Sequence, residues 1–341
     1  SLIGGYTYTG TESKNFRSTY TTDVRTSTGN HLTNQTTKEI YKTFQATVDW
    51  NRSFGNHNVG VLAGYSWEQN DYRYLSATRT NLPSDDYPEI DTGDADSSSN
   101  SGGGNAWALQ SYFGRAKYNF NERYLAEFTF RYDGSSRFPK DNRFAFFPSV
   151  AAGWRISEES FIKDNFDWIN NLKIKASWGK LGNQNIGNYP YQSVYNIGYN
   201  YPFGNTLQQG VAITTAVDET LHWETTTTTD FGIEGTLWNG LLNFDVTYFY
   251  RKTKDILFSP SASVSSIFGF SLSQMNMGQL KNDGFEFQLS HNNTIGDFTY
   301  GISGNFSIIR NEVITLGLAD VEQSNGLIGN GTYFVGYPMN I

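Results

Sequence analysis

Apolar and polar side chains alternate along most of this chain with a period of two residues. The segment YLAEFTFRYDGSSRF, residues 124–138, shows the pattern clearly, because Ala126, Phe128 and Phe130 share one parity. Glu127 and Arg131 share the other parity. Since successive side chains of a strand point to opposite faces, the pattern predicts a strand with one apolar face and one charged face.

The same alternation predicts ten strands in all. They lie near 38–54, 58–74, 106–120, 123–134, 143–156, 171–181, 223–237, 241–257, 276–291 and 297–311. Strands of soluble domains cluster near about 5 or 6 residues, whereas a strand that crosses a membrane needs about 9 to 11. Most of the predicted strands are long enough to cross.

Short and long connections alternate between these strands. The short ones are 55–58, 121–122, 238–240 and 292–297, and Asn239-Gly240 is typical of a type I′ hairpin turn. The long polar ones are 75–105, 135–142, 182–222 and 258–275. Short turns on one rim and long loops on the other are typical of an outer-membrane β-barrel, with the turns periplasmic.

Composition changes this picture little. The chain has 341 residues, no cysteine, a net charge of −8 and a mean hydropathy of −0.51. The sequence has no basic patch interleaved with aromatic residues, so we do not expect nucleic acid as a partner. Because cysteine is absent, disulfides and thiolate metal sites are excluded. A low mean hydropathy is compatible with a membrane barrel, because only alternate residues face lipid. The sequence pattern predicts neither a signal peptide nor a membrane-spanning helix in this segment.

The alternation therefore predicts an aqueous interior lined by the charged face and a lipid-facing surface made by the aromatic face. Charged residues on the apolar parity, Lys42, Arg52 and Lys252, fall near strand ends, where their cost in lipid is small. Aromatic residues near strand ends are candidates for interfacial girdles. These are Tyr41, Trp67, Tyr118, Tyr124, Trp154, Trp178 and Tyr250.

The connection at 157–170, SEESFIKDNFDWIN, is longer than the other turns on its rim. We expect a short helix there, capped by Ser157, with Glu158 and Glu159 in its first turn. An acid/base pair of glutamates is the alternative, but nothing nearby in the sequence would perturb either pKa.

Catalytic and metal-binding motifs are weak, so we predict that the chain is not an enzyme and uses no cofactor or metal. The histidines lie in separate loops or at strand ends without a second ligand at metal spacing. The segment from Asp94 resembles a calcium loop but has Ser99 and Asn105 where the motif needs Gly and Glu.

Five blocks carry a family resemblance. They are RYDGSSRF, FPSVAAGWRISEESFIKD, LKIKASWGKLGNQNIGNYPY, LHWETTTTTDFGIEGTLWNGLLNFDVTYFYRKTKDIL and NMGQLKNDGFEFQL. Between about residues 105 and 316, the chain resembles the barrel of SusC/RagA-type TonB-dependent transporters of Bacteroidetes. The resemblance implies an outer-membrane importer with a 22-strand barrel and a plug domain, driven by TonB. It also implies a SusD-like surface lipoprotein as partner and oligosaccharide or peptide as cargo.

Ten strands cannot close such a barrel, even if GGYTYTG and FRSTYTTDV add one or two more at the start. We therefore expect residues 1–341 to be part of one TonB-dependent receptor barrel domain, with the plug and the C-terminal strands absent. The expected fold class is an all-β antiparallel transmembrane barrel segment of about 10 to 12 strands.

Two surfaces are candidates for cargo contact. The long loops are expected to offer aromatic side chains for stacking: Trp107, Tyr189, Tyr191, Tyr199, Tyr201 and Phe203. The lumen wall is expected to offer polar side chains: Asp49, Glu127, Arg131, Lys173, Lys175, Asp230 and Asp245. Packing within the loops, and bonds to a plug or to water, are the alternatives for the two sets. A ligand-binding surface protein without transport, and a passive porin, remain alternatives for the whole function.

Overall fold

A single large antiparallel sheet contains the long strands of the chain. The computed structural model describes residues 1–27, 29–258, 266–317, 323–324 and 332–339. We number the strands of the large sheet β1 to β11. Their bounds are Leu2–Arg17, His31–Phe54, His57–Thr80, Ser99–Phe120, Tyr124–Ser135, Phe144–Arg155, Ile169–Asn183, Glu224–Leu237, Leu242–Lys254, Gln279–Ile295 and Phe298–Thr315.

Each strand is hydrogen-bonded to its neighbours in chain order, so the sheet is a meander. All ten predicted strands are present, as β2 to β11. In the turn between β8 and β9, φ is 55° at Asn239 and 89° at Gly240, positive at both residues as predicted, and φ of Trp238 is also positive at 52°. Positive φ at both positions matches the right-handed twist of the two strands that the turn joins.

The structure corrects several predicted boundaries. GGYTYTG is part of β1, one continuous strand, and FRSTYTTDV runs from the end of β1 into a short hairpin, Tyr20–Thr21 with Thr26–Ser27. Strands replace both ends of the predicted 75–105 loop, which shortens the connection to 81–98. Strand β10 likewise continues to Ile295, so little of 292–297 is a turn. Part of the predicted 258–275 loop lies outside the described residues.

Among the residues that the structure describes, helices are short and confined to connections. The α-helix α1 spans Ser160–Lys163. The 3-10 turns are Ile90–Thr92, Ala95–Ser97, Lys140–Asn142, Ile156–Glu158 and Ser266–Phe268. Ser157 does not cap α1: it is buried within a 3-10 turn, and Glu159 occupies the N-cap position without a side-chain cap bond. The preceding 3-10 turn shifts the start of the helix three residues beyond the predicted cap.

Short strand pairs lie in the connections between the long strands and after β11. In the 184–223 connection, Asn196–Ile197 pairs with Val211–Ala212, and Tyr201–Phe203 pairs with Thr206–Gln208. Thr215–Ala216 pairs with Ser271–Leu272 in parallel, Leu257–Phe258 pairs with Met275–Asn276, and Gln323–Ser324 pairs with Thr332–Tyr333.

The chain divides into two compact units, which are described separately. The first consists of Ser1–Ala46 and Ser66–Gln110. Within it, buried Asn30 fastens the 81–98 connection, because its side-chain amide donates to the Leu82 carbonyl at 2.9 Å and to Asp85 Oδ1 at 2.7 Å. Hydrogen bonds from Asn30 and Thr19 hold the pKa of the Asp85 carboxyl below its usual value.

The second unit consists of Thr47–Tyr65 and Ser111–Ile341. It contains an apolar cluster at the long-loop ends of its strands, formed by Phe138, Phe147, Leu221 and Trp223, each at most 7% exposed. The ring of Phe147 lies so close to Gly182 that any Cβ there would meet it at 2.0 Å. The cluster therefore explains the glycine at the point where β7 leaves the sheet.

Candidate functional site: the polar face of the long strands

Charged side chains of three neighbouring strands meet on the polar face of the second unit. Lys173 and Lys175 alternate with apolar residues on β7, as a strand with two different faces requires. The register places Lys173 opposite Glu234 of β8, and Glu234 opposite Asp245 of β9. We call these four residues the ion-pair ladder.

Every member of the ladder has an oppositely charged neighbour. Lys173 Nζ lies 2.6 Å from Glu234 Oε1, and Lys175 Nζ lies 3.3 Å from Glu234 Oε2. Lys175 also donates to Asp245, which accepts a further hydrogen bond from the Thr247 hydroxyl at 2.8 Å. The four side chains are between 25% and 33% exposed, so the ladder is partly screened from water.

Gly232 gives Lys175 its path across β8. Lys175 lies opposite Gly232, which in turn lies opposite Thr247 of β9. A Cβ on Gly232 would come within 2.6 Å of Lys175 Cε and 2.7 Å of Thr247 Oγ1. The missing side chain therefore allows the lysine of one strand to reach Asp245 two strands away.

A second charged group lies on β4 and β5. Lys117 Nζ is 3.4 Å from Glu127 Oε2. Arg131 donates two hydrogen bonds to Asp133, from Nε at 3.1 Å and from Nη2 at 3.0 Å, and its guanidinium carbon lies 5.4 Å from the Phe113 ring centre. This fork geometry fixes the arginine in one orientation.

An open groove of about 630 Å³ separates the two charged groups. Small residues, Gly60, Ala151 and Gly153, are part of its lining, and Lys117, Glu127, Lys173 and Lys175 also contribute. Ala151 and Gly153 lie opposite Glu127 and Leu125 of β5 in the sheet register. The absence of bulk at these positions on β6 leaves space for a ligand or for another polypeptide segment against the polar face.

Most of the predicted lumen residues belong to these groups. Asp230 accepts from the Ser177 hydroxyl at 2.9 Å, and Asp49 accepts from the Asn51 amide. Sequence reasoning missed Glu234, the residue that joins both lysines of the ladder. Its parity, shared with Asp230, would have revealed it. Exposure of these residues to the lumen stays a prediction.

The long connection at 184–223 is held at both ends by the β5–β6 loop. Arg137 Nη1 donates to the Ile186 carbonyl at 2.9 Å and to the Gln184 carbonyl at 3.3 Å. Asn142 donates to the Thr220 carbonyl at 2.8 Å. Burial lowers the pKa of the Arg137 guanidinium, which nevertheless stays charged. The RYDGSSRF block thus anchors the connection.

The predicted loop aromatics fall into three settings. Tyr199, Tyr201 and Phe203 are exposed by 51%, 54% and 72% at the tip of the 184–223 connection. Tyr189 and Tyr191 are half-buried and pack edge to face, with ring centres 6.3 Å apart.

Trp107 was counted among the loop aromatics, although the predicted strand at 106–120 includes it. It lies within β4, in the first unit, with its ring centre 6.3 Å from that of Tyr41. The Gly-rich stretch before Trp107 forms strand rather than loop. Glycine can adopt an extended backbone, although its large loss of conformational entropy makes a strand less favourable. Tyr41 in turn donates to Glu68 at 2.7 Å and shares its parity with Thr43 and Gln45, so it lies on the polar face rather than in a lipid-facing girdle.

At the short-turn rim, Glu159 accepts hydrogen bonds from three side chains. Its carboxylate accepts from the Tyr124 hydroxyl at 2.7 Å, the Trp154 indole at 3.0 Å and Arg123 at 3.0 Å. These hydrogen bonds, the largest from Tyr124, hold the pKa of Glu159 below its usual value. Glu158 instead pairs with Lys163 and Arg155. Both glutamates are therefore held in structural contacts, which disfavours the acid/base alternative.

Within the described ranges, we find no group of three or more His, Asp or Glu side chains placed to hold a metal ion. Nor does any helix among those residues have both the length and the apolar character needed to cross a membrane.

Comparison with known proteins identifies the family. Residues 1–340 match the model of the TonB-dependent receptor-like β-barrel. The chain belongs to this family. The sheet of long antiparallel strands is thus a segment of a TonB-dependent receptor barrel, and the predicted fold class and outer-membrane location are confirmed.

Named relatives of this TonB-dependent receptor segment come from Bacteroidetes. It is 35% identical to TonB-dependent receptor P3 of Formosa agariphila over 83% of the chain and 28% of the relative. It is 41% identical to TonB-dependent receptor SusC of Bacteroides thetaiotaomicron over 61% of the chain and 21% of that protein. The chain therefore spans about a quarter of the length of these relatives.

A solved structure of the RagAB peptide transporter has the same fold. The superposition gives a TM-score of 0.87 at 26% sequence identity, over 99% of this chain and 37% of the RagAB chain. The SusC/RagA resemblance read from five sequence blocks is confirmed by these matches.

Proposed function

We propose that this segment forms part of the wall of an outer-membrane receptor that actively imports oligosaccharides or peptides. The observation that carries the proposal is the family match over residues 1–340, together with the likeness to RagAB, which is described as a peptide importer. TonB would drive import, and a SusD-like lipoprotein would act with the receptor at the cell surface.

The polar face would line the aqueous interior. In an outer-membrane barrel the apolar face meets lipid and the other face meets water. The ladder formed by Lys173, Lys175, Glu234 and Asp245 keeps its charges paired, so this part of the wall would be hydrophilic without a net charge. The groove of about 630 Å³ beside it gives cargo or a plug segment room against this wall.

The tip of the 184–223 connection is proposed as a cargo contact. Tyr199, Tyr201 and Phe203 are exposed there, while Arg137 and the buried Trp223 cluster fix the base of the connection. Aromatic rings suit stacking on sugar rings and on peptide side chains alike. The loop chemistry is therefore compatible with either cargo.

Uptake by cells that express the whole receptor and its lipoprotein partner tests the proposal. Labelled oligosaccharide or peptide should accumulate, and a protonophore or deletion of the lipoprotein gene should abolish accumulation. Uptake that continues unchanged under protonophore would identify a porin, and surface binding without entry would identify an adhesin-like receptor. Either result would overturn active import.

A pair of matched variants tests the loop tip. Combined Tyr199→Ala, Tyr201→Ala and Phe203→Ala should weaken cargo binding about tenfold, through loss of stacking surface. Val194→Ala, Ile197→Ala and Val211→Ala remove exposed apolar surface from the same tip without removing an aromatic ring. This control should bind nearly as well as the unaltered receptor, and an equal loss in both would contradict a role for the rings.

A further inference from the structure

The apolar face of β7 to β11 changes its chemistry toward the long-loop ends of the strands. Cross-strand rows on this face can be read from the register. A middle row is wholly apolar and consists of Ile174, Ile233, Val246, Phe287 and Phe306. Another row lies four residues further along each strand toward the long loops. It consists of Trp178, Thr229, Tyr250, Asp283 and Arg310.

The next row toward the loops contains three lysines. Its members, directly opposite one another across five strands, are Lys180, Thr227, Lys252, Lys281 and Glu312. We call this row the basic row. Side chains directly opposite on one face have Cβ atoms about 5 Å apart, and like charges so placed are destabilising. Lys252 and Lys281 form such a pair of like charges.

The chain supplies counter-charge to one of the three lysines. Lys281 Nζ is 3.0 Å from Glu312 Oε2 and 3.6 Å from Asp283 Oδ1. Within the described part of the chain, neither Lys180 nor Lys252 has an acidic partner within ion-pair distance.

The surrounding charges do not remove the imbalance. Arg310 is exposed one row below, and Lys254 is exposed one row above, opposite Thr225 and Gln279. This end of the face thus carries five basic residues against two acidic ones, in a chain whose net charge is −8. The local excess is opposite in sign to the charge of the whole chain.

The position of the basic row relative to the aromatic residues indicates its level in the membrane. Trp178 and Tyr250 lie two residues, or roughly 7 Å, below it along the strands. Tryptophan and tyrosine are enriched where lipid tails meet headgroups. The lysine ammonium groups, on long side chains that can extend toward water, therefore lie at the level of the headgroups.

We propose that Lys180 and Lys252 bind the phosphate of a lipid headgroup with net negative charge in the leaflet on the long-loop side. A phosphate offers several anionic oxygens at once, so one group can neutralise neighbouring ammonium groups. The basic row continues the lipid-facing surface of the barrel, which makes a lipid the occupant rather than a soluble anion. The proposal rests on the outer-membrane location and does not depend on transport or on the cargo.

Lipid binding by the whole receptor tests this assignment. The receptor is placed in phosphatidylcholine nanodiscs and titrated with lipid A, and bound lipid A is counted by native mass spectrometry. Combined Lys180→Gln and Lys252→Gln should weaken binding roughly 30-fold, since each lysine near an anionic surface contributes a factor of about five. The control, Lys117→Gln with Lys163→Gln, removes the same charge from the polar face and from the short-turn rim, and should change binding less than twofold.

Three results would overturn the proposal. They are no loss in the test pair, an equal loss in the control pair, and displacement of lipid A by inorganic phosphate at the same phosphate concentration. Retention of heat-modifiable migration in gels shows that each variant is folded. A nitroxide label at Ile308→Cys, in the apolar rows of the same face, should be accessible to oxygen from lipid. If that label is exposed to water, the failure lies in the membrane-facing assignment itself.

Discussion

Both faces of the sheet formed by β7, β8 and β9 carry lysine, but the lysines of the two faces differ in their acidic partners. On the polar face, Lys173 and Lys175 are neutralised by Glu234 and Asp245 of the same sheet. On the apolar face, Lys180 and Lys252 lie in one row without an acidic partner among the described residues. The ladder is neutralised within the sheet, whereas these two lysines of the apolar face are not.

The proposed solvents, water at the polar face and lipid at the apolar face, would account for this difference. A water-filled interior tolerates ions at any depth, so pairing there fixes geometry more than it prevents a large penalty. Lipid excludes ions from the middle of the membrane, so cations on the apolar face are confined to its edge. The position of a lysine along the strand is therefore informative only once its face is known.

The largest expected effect comes from placing a charge in the middle of the apolar face. Phe287→Arg should destabilise the receptor by about 2 to 4 kcal/mol, because arginine would lie at mid-membrane depth. Gln288→Arg places the same residue one position along β10, on the polar face, and should cost far less. Urea titration of the receptor in lipid vesicles measures both. Similar costs for the two variants would contradict the assignment of the faces.

A smaller effect is expected from removing the shared carboxylate of the ladder. Glu234→Gln leaves Lys173 and Lys175 without their common partner and should destabilise the receptor by about 1 kcal/mol, since the pairs are partly exposed.

A double-mutant cycle with Lys173→Met separates the pair interaction from other changes. A coupling energy of about 0.5 to 1 kcal/mol would support the ladder. Additive effects of the two substitutions would show that the observed contact contributes nothing to stability.

A still smaller effect is expected at Gly232. Gly232→Ala would place a Cβ within 2.6 Å of Lys175 Cε, so the lysine must move away from Asp245. Because the end of a lysine side chain moves easily, we expect a loss below about 1 kcal/mol. The loss should become smaller when Lys175→Met is already present, although the new Cβ would still lie 2.7 Å from Thr247 Oγ1. An equal loss in both backgrounds would show that the contact with the end of Lys175 contributes nothing to it.

Sequence periodicity was sufficient for the strands but not for every contact made by their side chains. A period of two is a local property, so β2 to β11 and the two faces could be predicted from it. The bonds of Arg137 to the Gln184 and Ile186 carbonyls join residues 47 and 49 positions apart, and no local pattern encodes them. The glycines at 102–104 were assigned to a loop because glycine is typical of loops, whereas pairing with β3 keeps them extended.

Ser157 shows a different limit. Its position before two glutamates is a good N-cap signal, but the hydroxyl is buried in a 3-10 turn and the helix starts later. Glu159 finds better donors in Tyr124 and Trp154, which come from two strands, than in the backbone of its own helix. Tertiary contacts thus override the local capping preference.

Glu159, at the short-turn rim, differs from the ladder carboxylates in the groups that hold it. The carboxylates of the ladder are held by lysines, whereas Glu159 accepts from the neutral donors of Tyr124 and Trp154, with Arg123 as its cationic partner. Its pKa is lower in the folded protein than in the unfolded chain. The stabilisation is therefore complete above the unfolded pKa, about 4.3, and disappears as pH falls below it through the folded pKa.

Glu159→Gln should remove this part of the acid dependence while leaving stability near neutral pH only slightly reduced, because glutamine still accepts from both donors. Stability curves of the two proteins between pH 6 and pH 3 should therefore converge as the pH falls. Glu122→Gln, at an exposed carboxylate of the same rim, is the matched control and should leave the curve nearly unchanged. Parallel curves for Glu159→Gln and the unaltered receptor would show that the hydrogen bonds of Tyr124 and Trp154 do not depend on the charge of Glu159.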